Sequence, residues 1–256
     1  MKTLGFIGTG AITAAFIEGL VASGRRNPVI VSPRSQRRSE ELASRHETVS
    51  RAASNGEVAR DSDIVFLAMR PAQVEEALKH VTFRRDQIVC SFVTGLSVAD
   101  IAGIAPAAVA CRVLPLPAVA ICKGPVIHFP RVDAVVELLT GMGQVIVPGA
   151  EHELVAMGGV SGFMSTFFEL QTGLKHWLEG RDVTPEAADT YVRSIFAGLS
   201  ETALRSSRPL SELAEEHETR GGLNERTRKL LLSRDWFRHA TAALDSIQVL
   251  SRTQLD

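Results

Sequence analysis

The sequence predicts an α/β fold: a mostly parallel sheet over residues 1–149, then an all-helical part over residues 150–256. Three observations carry this. Short apolar runs alternate with amphipathic, helix-spaced segments through the first part. A Gly8-Thr9-Gly10 turn joins the first apolar run to the first helical segment. After Pro148-Gly149 the strand signal stops, and helical periodicity takes over from Glu151.

The strand candidates are Thr3–Ile7, Pro28–Val31, Ile64–Met69, Ile88–Val93, Ala108–Val113, Val126–Phe129 and Gln144–Val147. Helical spacing covers Ala11–Ser23, Ser35–His46, Ala72–Val81 and Val132–Met142 between them. In the second part, helices are expected at Glu151–Gly158, Gly162–Glu179, Pro185–Arg205, Pro209–Glu216 and Leu223–Leu232, with a last one from Trp236. Thr184-Pro185-Glu186 supplies a cap and a first-turn proline for the longest of these.

The chain has 256 residues, enough for one large or two modest cores. The 28 Lys and Arg nearly cancel the 29 Asp and Glu, which argues against a nucleic-acid or membrane partner. No apolar stretch reaches the ~20 residues of a membrane span, and no signal peptide is visible. Cys90, Cys111 and Cys122 sit in apolar runs without metal-type spacing, as reduced core residues of a cytoplasmic protein would. His128, His152, His176 and His239 share no ligand spacing, so no metal is expected.

The glycines point to a dinucleotide. Gly8 permits the tight turn out of the strand, and Gly10 lets a pyrophosphate approach the backbone. The helix starting at Ala11 and Ile12 aims free N–H groups at the phosphates. This is the Rossmann arrangement, with Thr13 where a third glycine commonly stands. That position serves helix–strand packing, so a small residue suffices. The bland alternative is a structural turn.

The second strand ends in Ser32, followed by Arg34, Ser35, Arg37 and Arg38. An acidic residue there would hold the ribose hydroxyls of NAD, and none is present. Hydroxyls and guanidinium groups suit a 2′-phosphate, which favours NADP over NAD. The alternative is a solvated basic helix start.

Taken in order, Gly8-Thr9-Gly10, Ser32 with Arg34, Asn55, Phe66-Leu67-Ala68-Met69-Arg70-Pro71 and Cys90–Ile101 resemble the pyrroline-5-carboxylate reductases. So do the segment containing Ser161 and Gly162, and Glu218–Leu231 with its downstream Trp236-Phe237-Arg238. The similarity runs in register over nearly the whole chain. It implies a Rossmann-like cofactor domain and a helical domain that interlocks into a homodimer. It also implies reduction of a cyclic imine to proline with a nicotinamide hydride, as in proline biosynthesis, and adds Asn55, Ala68, Met69, Arg70 and Pro71 to the cofactor residues.

The departures fall in the substrate half. Leu116-Pro117 stand where the family has Asn-Thr, Thr219-Arg220 where it has Ser-Pro, and Leu223-Asn224 where it has two threonines. The catalytic candidates are therefore Thr219, Leu223 and Asn224. Gly221 and Gly222 are expected to offer N–H groups to a substrate carboxylate, with Ser161, Gly162 and Arg220 completing the site. Arg220 either binds a second carboxylate or is solvated. His217 is a weaker acid candidate. Phe163, Phe167 and Phe168 read as core or subunit interface rather than a cofactor box.

Three other readings stay open. A hydroxyacid dehydrogenase shares the layout but needs a lysine early in the first long helix of its second domain; Ser161–Glu169 has none and Lys175 comes too late. A non-catalytic NADP-binding protein fits the apolar residues at Leu116 and Leu223. A deazaflavin-dependent NADP reductase shares the first domain but lacks so long a helical tail.

Overall fold

The computed structural model describes Met1–Ser246. Its first part runs β1 (Leu4–Ile7), α1 (Ala11–Ala22), β2 (Val29–Val31), α2 (Gln36–Arg45), β3 (Val49–Arg51), α3 (Asn55–Arg60) and β4 (Ile64–Leu67). A 3-10 turn (Pro71–Gln73), α4 (Val74–Leu78), β5 (Ile88–Ser91), α5 (Val98–Ile104) and β6 (Val109–Pro115) follow. Then come a second 3-10 turn (Pro117–Ile121), β7 (Pro125–Phe129), α6 (Asp133–Leu139), β8 (Gln144–Ile146) and α7 (Glu151–Val160). The strands form one sheet in the order β3-β2-β1-β4-β5-β6-β7-β8. Neighbours are parallel except β6 and β7, which run antiparallel.

Both faces of the sheet are covered, which is why its central strands are apolar throughout. Alternate residues feed two separate cores. Leu4 and Phe6 of β1 join Phe16 of α1 and Phe66 of β4 on one face. Ile7 joins Val65, Leu67 and Val89 on the other. Phe6 stacks on Phe66 at 4.8 Å, and Phe16 and Phe92 complete the cluster.

Several elements are more than the apolar pattern predicts. β3 buries only Val49 of its three residues, so no apolar run marks it. Helix α3 is short and rests on its cap: the Ser54 side chain accepts from Glu57 N. Helix α5 begins with a reciprocal Ser97–Asp100 capping box. The single helix expected over Ala72–Val81 is instead a 3-10 turn opened by Pro71, followed by α4.

The texture changes at Gly149, but the compact units divide after Gly158. Helix α7 is the reason. Glu151 Oε1 accepts from Arg112 Nη1 of β6 and from Val98 N, both at 2.9 Å. Leu154 is fully buried. Most of α7 thus belongs to the first unit.

The second unit holds α8 (Phe163–Glu179), α9 (Pro185–Arg205), α10 (Leu210–Glu216), α11 (Leu223–Ser233) and α12 (Trp236–Ser246). Helix α9 starts as expected, with Thr184 Oγ1 accepting from Ala187 N and Pro185 in the first turn. Helices α8 and α9 pack through an edge-on Phe167–Phe196 contact. No residue of α8, α11 or α12 is buried. Among the described residues, no helix is long and apolar enough to cross a membrane.

Candidate functional site

β1 pairs with β2 on one side and β4 on the other, so the chain reverses direction across the sheet at β1. Ligands of open α/β sheets bind beyond the carboxyl ends of the strands at such a reversal. A cleft of about 510 Å³ lies there, lined among others by Gly8, Thr9, Gly10, Ile12, Ser32 and Arg34. A larger hollow of about 810 Å³ lies at the opposite end, against Met1, Lys2, Leu4 and Ile64. That hollow lies by the starts of β1 and β4, away from the carboxyl ends of the strands, so the sheet's topology favours the smaller cleft.

The glycine turn is built from both sides. Gly8 has φ +105°, and a Cβ there would overlap the Ala68 carbonyl oxygen. At Gly10 a Cβ would meet nothing within 4 Å, so that face of the turn stays open to the cleft. Gly10 N-caps α1, whose first-turn N–H groups lack intrahelical acceptors. Thr13 is buried and is more than a small spacer: its hydroxyl donates to the Gly8 carbonyl at 2.7 Å.

Ser32 also differs from expectation. Its side chain is buried, and Oγ accepts from Gly8 N at 2.9 Å. Thr9 Oγ1 donates to the Ser32 carbonyl at 2.9 Å and stands 3.1 Å from Ser32 Oγ. The Ser32 hydroxyl thus supports the glycine turn rather than reaching out as a free phosphate donor. Arg34 and Ser35 do line the cleft. Arg34 is exposed and has no carboxylate partner among the described residues, whereas nearby Arg51 is paired with Glu40 and Arg45 with Glu18. Arg37 and Arg38, on α2, are exposed and are not among the cleft's lining residues.

Asn55, Ala68, Met69 and Arg70 line the far wall. Asn55 Nδ2 donates to the Ala77 carbonyl at 2.9 Å, leaving its carbonyl oxygen for a ligand. Ala68 N donates to Ile7 O at 2.8 Å, continuing the sheet. Ala11 and Pro71 are not among the lining residues. Gln73, Ala77 and Phe92 are, and sequence reasoning missed them. Phe92 follows β5 directly, so its place at a strand's carboxyl end was the available signal.

The expected substrate residues lie in the second unit. Ser161 and Gly162 form the turn into α8, where Gly162 N donates to Gly159 O and Met164 N to Ser161 O. The loop from Thr219 to Asn224 corrects the expectation of free N–H donors. Gly221, at φ +75°, donates its N–H to the Glu225 carboxylate. Gly222 N donates to Thr219 O at 2.7 Å. Asn224 Nδ2 donates to His217 O at 2.7 Å. The hydrogen bond from Lys229, then that from Gly221, holds the Glu225 carboxyl below its usual range. Arg228 does the same for Glu218. The turn is therefore closed on itself as a helix start. Thr219, Arg220 and Leu223 stay exposed, and Arg220 has no carboxylate partner among the described residues. His217 Nδ1 lies 2.7 Å from the Leu213 carbonyl, an ordinary end-of-helix contact. Lys175 is paired with Glu179.

Residues 3–95 match the family described as NADP oxidoreductase coenzyme F420-dependent. Pyrroline-5-carboxylate reductase of Corynebacterium melassecola is 29% identical over 187 residues, covering 67% of this chain and 68% of that protein. The fold is shared with 1-pyrroline-5-carboxylate reductase of Streptococcus pyogenes (TM-score 0.82, 18% identity, 96% of each chain). It is shared also with the NADP-bound pyrroline carboxylate reductase of Plasmodium falciparum (TM-score 0.81, 17% identity, 96% of this chain and 95% of that one). The chain is thus similar in sequence to a pyrroline-5-carboxylate reductase and shares the fold of two others.

Proposed function

We propose that the protein is an NADPH-dependent reductase of a C=N bond in a small cyclic imine, with pyrroline-5-carboxylate to proline as the leading reaction. The observation that carries this is the cleft at the β1 reversal, with an open glycine turn and an unpaired Arg34 where an NAD-binding site has a carboxylate. The residues fit a dinucleotide phosphate. Gly10 and the first turn of α1 would take the pyrophosphate, and Arg34 with Ser35 the 2′-phosphate. When bound, NADPH supplies the hydride that reduces the imine carbon. The protein's part is to hold and orient, because a protonated imine is already electrophilic. The nitrogen lone pair freed from the C=N bond stays on the product amine. Arg220 is the residue of the substrate loop that remains available to an acidic group on the substrate.

We also propose a homodimer formed through the helical unit. The support is α8, which buries none of its residues although it carries Phe163, Met164, Phe167, Phe168 and Leu170. A second functional reading, a non-catalytic NADP-binding protein, draws on the closed substrate loop, whose glycine N–H groups are already engaged.

One experiment separates these. NADPH consumption is followed against a panel of cyclic imines and imino acids, with NADH as the comparison and NADP-dependent proline oxidation as the reverse reaction. Turnover of any cyclic imine with NADPH preferred supports the reductase. NADPH binding without turnover of any imine favours the second reading. No binding of NADPH refutes both.

A further inference from the structure

We propose that Thr13 and Ser32 are positioning residues that lock the Gly8 peptide, and that this lock presents the glycine turn to the pyrophosphate. The inference rests on the reading of the cleft as an NADPH site and goes beyond it. Gly8 is the residue where β1 turns towards α1, and its φ of +105° is reached readily only by glycine. A glycine peptide has few steric constraints of its own, so its orientation must be imposed by neighbours. Here both of its polar groups are held by side-chain hydroxyls. Its N–H donates to Ser32 Oγ at 2.9 Å, and its carbonyl accepts from Thr13 Oγ1 at 2.7 Å.

The hydroxyl protons balance. Thr9 Oγ1 directs its proton to the Ser32 carbonyl at 2.9 Å. Ser32 Oγ, accepting from Gly8, has its own proton left for Thr9 Oγ1 at 3.1 Å. Thr13 gives its single proton to Gly8. Thr9, Thr13 and Ser32 are all buried, so water does not substitute easily for any of them. The lock spans three elements: the turn after β1, the first turn of α1 and the end of β2. It gives a physical role to the threonine at the third-glycine position, which glycine or alanine cannot fill. It also reassigns Ser32. The residue at the end of β2 acts on the glycine turn, and the 2′-phosphate is left to Arg34 and Ser35.

Two ligands test this. NADPH needs the glycine turn, whereas adenosine 2′-monophosphate carries the 2′-phosphate and no pyrophosphate. Thr13→Val keeps the shape and removes the hydroxyl, and Ser32→Ala removes the other half of the lock. Each is expected to weaken NADPH roughly tenfold, the effect of a part-buried polar group losing its partner. Each should leave adenosine 2′-monophosphate within about twofold of wild type. Thr13→Ser, which keeps the hydroxyl, should bind NADPH like wild type. Ser32→Ala carries the test if Thr13→Val does not fold. Unchanged NADPH affinity in the folded variants would overturn the lock. So would an equal loss of both ligands in Ser32→Ala, which would return Ser32 to the 2′-phosphate. Failure of wild type to bind either ligand would strike the cofactor reading instead.

Discussion

Replacing Arg34 by alanine tests the cofactor assignment most directly. Arg34 lies in the cleft, exposed and without a carboxylate partner among the described residues, so its removal breaks no ion pair of the fold. The expected effect is therefore on the ligand and not on stability. A hydrogen bond to a charged group contributes ~1.5–3 kcal/mol. Solvent reaches this guanidinium, which places the loss at the lower end, roughly a tenfold rise in the NADPH dissociation constant. NADH has no 2′-phosphate and should change by less than about twofold. Screening adds a second signature: the gap between wild type and Arg34→Ala should narrow as salt rises from about 0.01 M to 1 M. Both constants are measurable by nicotinamide fluorescence. Equal weakening of NADPH and NADH would show that Arg34 supports the cleft in general, and the 2′-phosphate assignment would fall.

Three further outcomes are expected. Glu151→Ala strands the buried Arg112 and frees Val98 N, so the first unit should lose about 2 kcal/mol; this is below the full cost of a broken buried pair because Glu151 is partly exposed, and urea unfolding with an unchanged midpoint would refute it. His128 is buried, with Nδ1 2.9 Å from the Arg112 carbonyl and Nε2 accepting from Val132 N at 3.0 Å, and burial holds its pKa below the usual histidine value. The unfolded chain therefore binds more protons below pH ~6.5, so stability should fall with pH there until the folded-state pKa is passed, and His128→Gln should flatten the profile. Phe168→Glu, on the bare face of α8, should shift the protein towards monomer in light scattering at micromolar concentration, and a wild-type monomer would remove the dimer altogether.

What the sequence determined by itself is the alternating first part, the helical second part and the location of the glycine turn. These follow from local chemistry. Apolar runs mark strands buried on both faces, Gly8 and Gly10 mark a turn that tolerates no side chain on one side and needs none on the other, and Thr184-Pro185 marks a helix start. Arg34 was legible for the same reason, since the absence of an acid at the end of β2 is a statement about composition. β3 was not legible, because an edge strand with one buried residue has no pattern. Nor was the place where the units divide: the Glu151–Arg112 pair joins residues distant in the chain, and no local signal announces it. Only the tertiary structure decided what the hydroxyls do. Ser32 and Thr13 look like a phosphate donor and a small spacer in sequence, yet once β1, β2 and α1 meet, the N–H and carbonyl of Gly8 are what lie within their reach. Gly221 and Gly222 changed in the same way. Glycines before a helix read as free donors, but the folded loop brings the Glu225 carboxylate and the Thr219 carbonyl to their N–H groups, because unpaired donors at a helix start take the nearest acceptor the chain can supply.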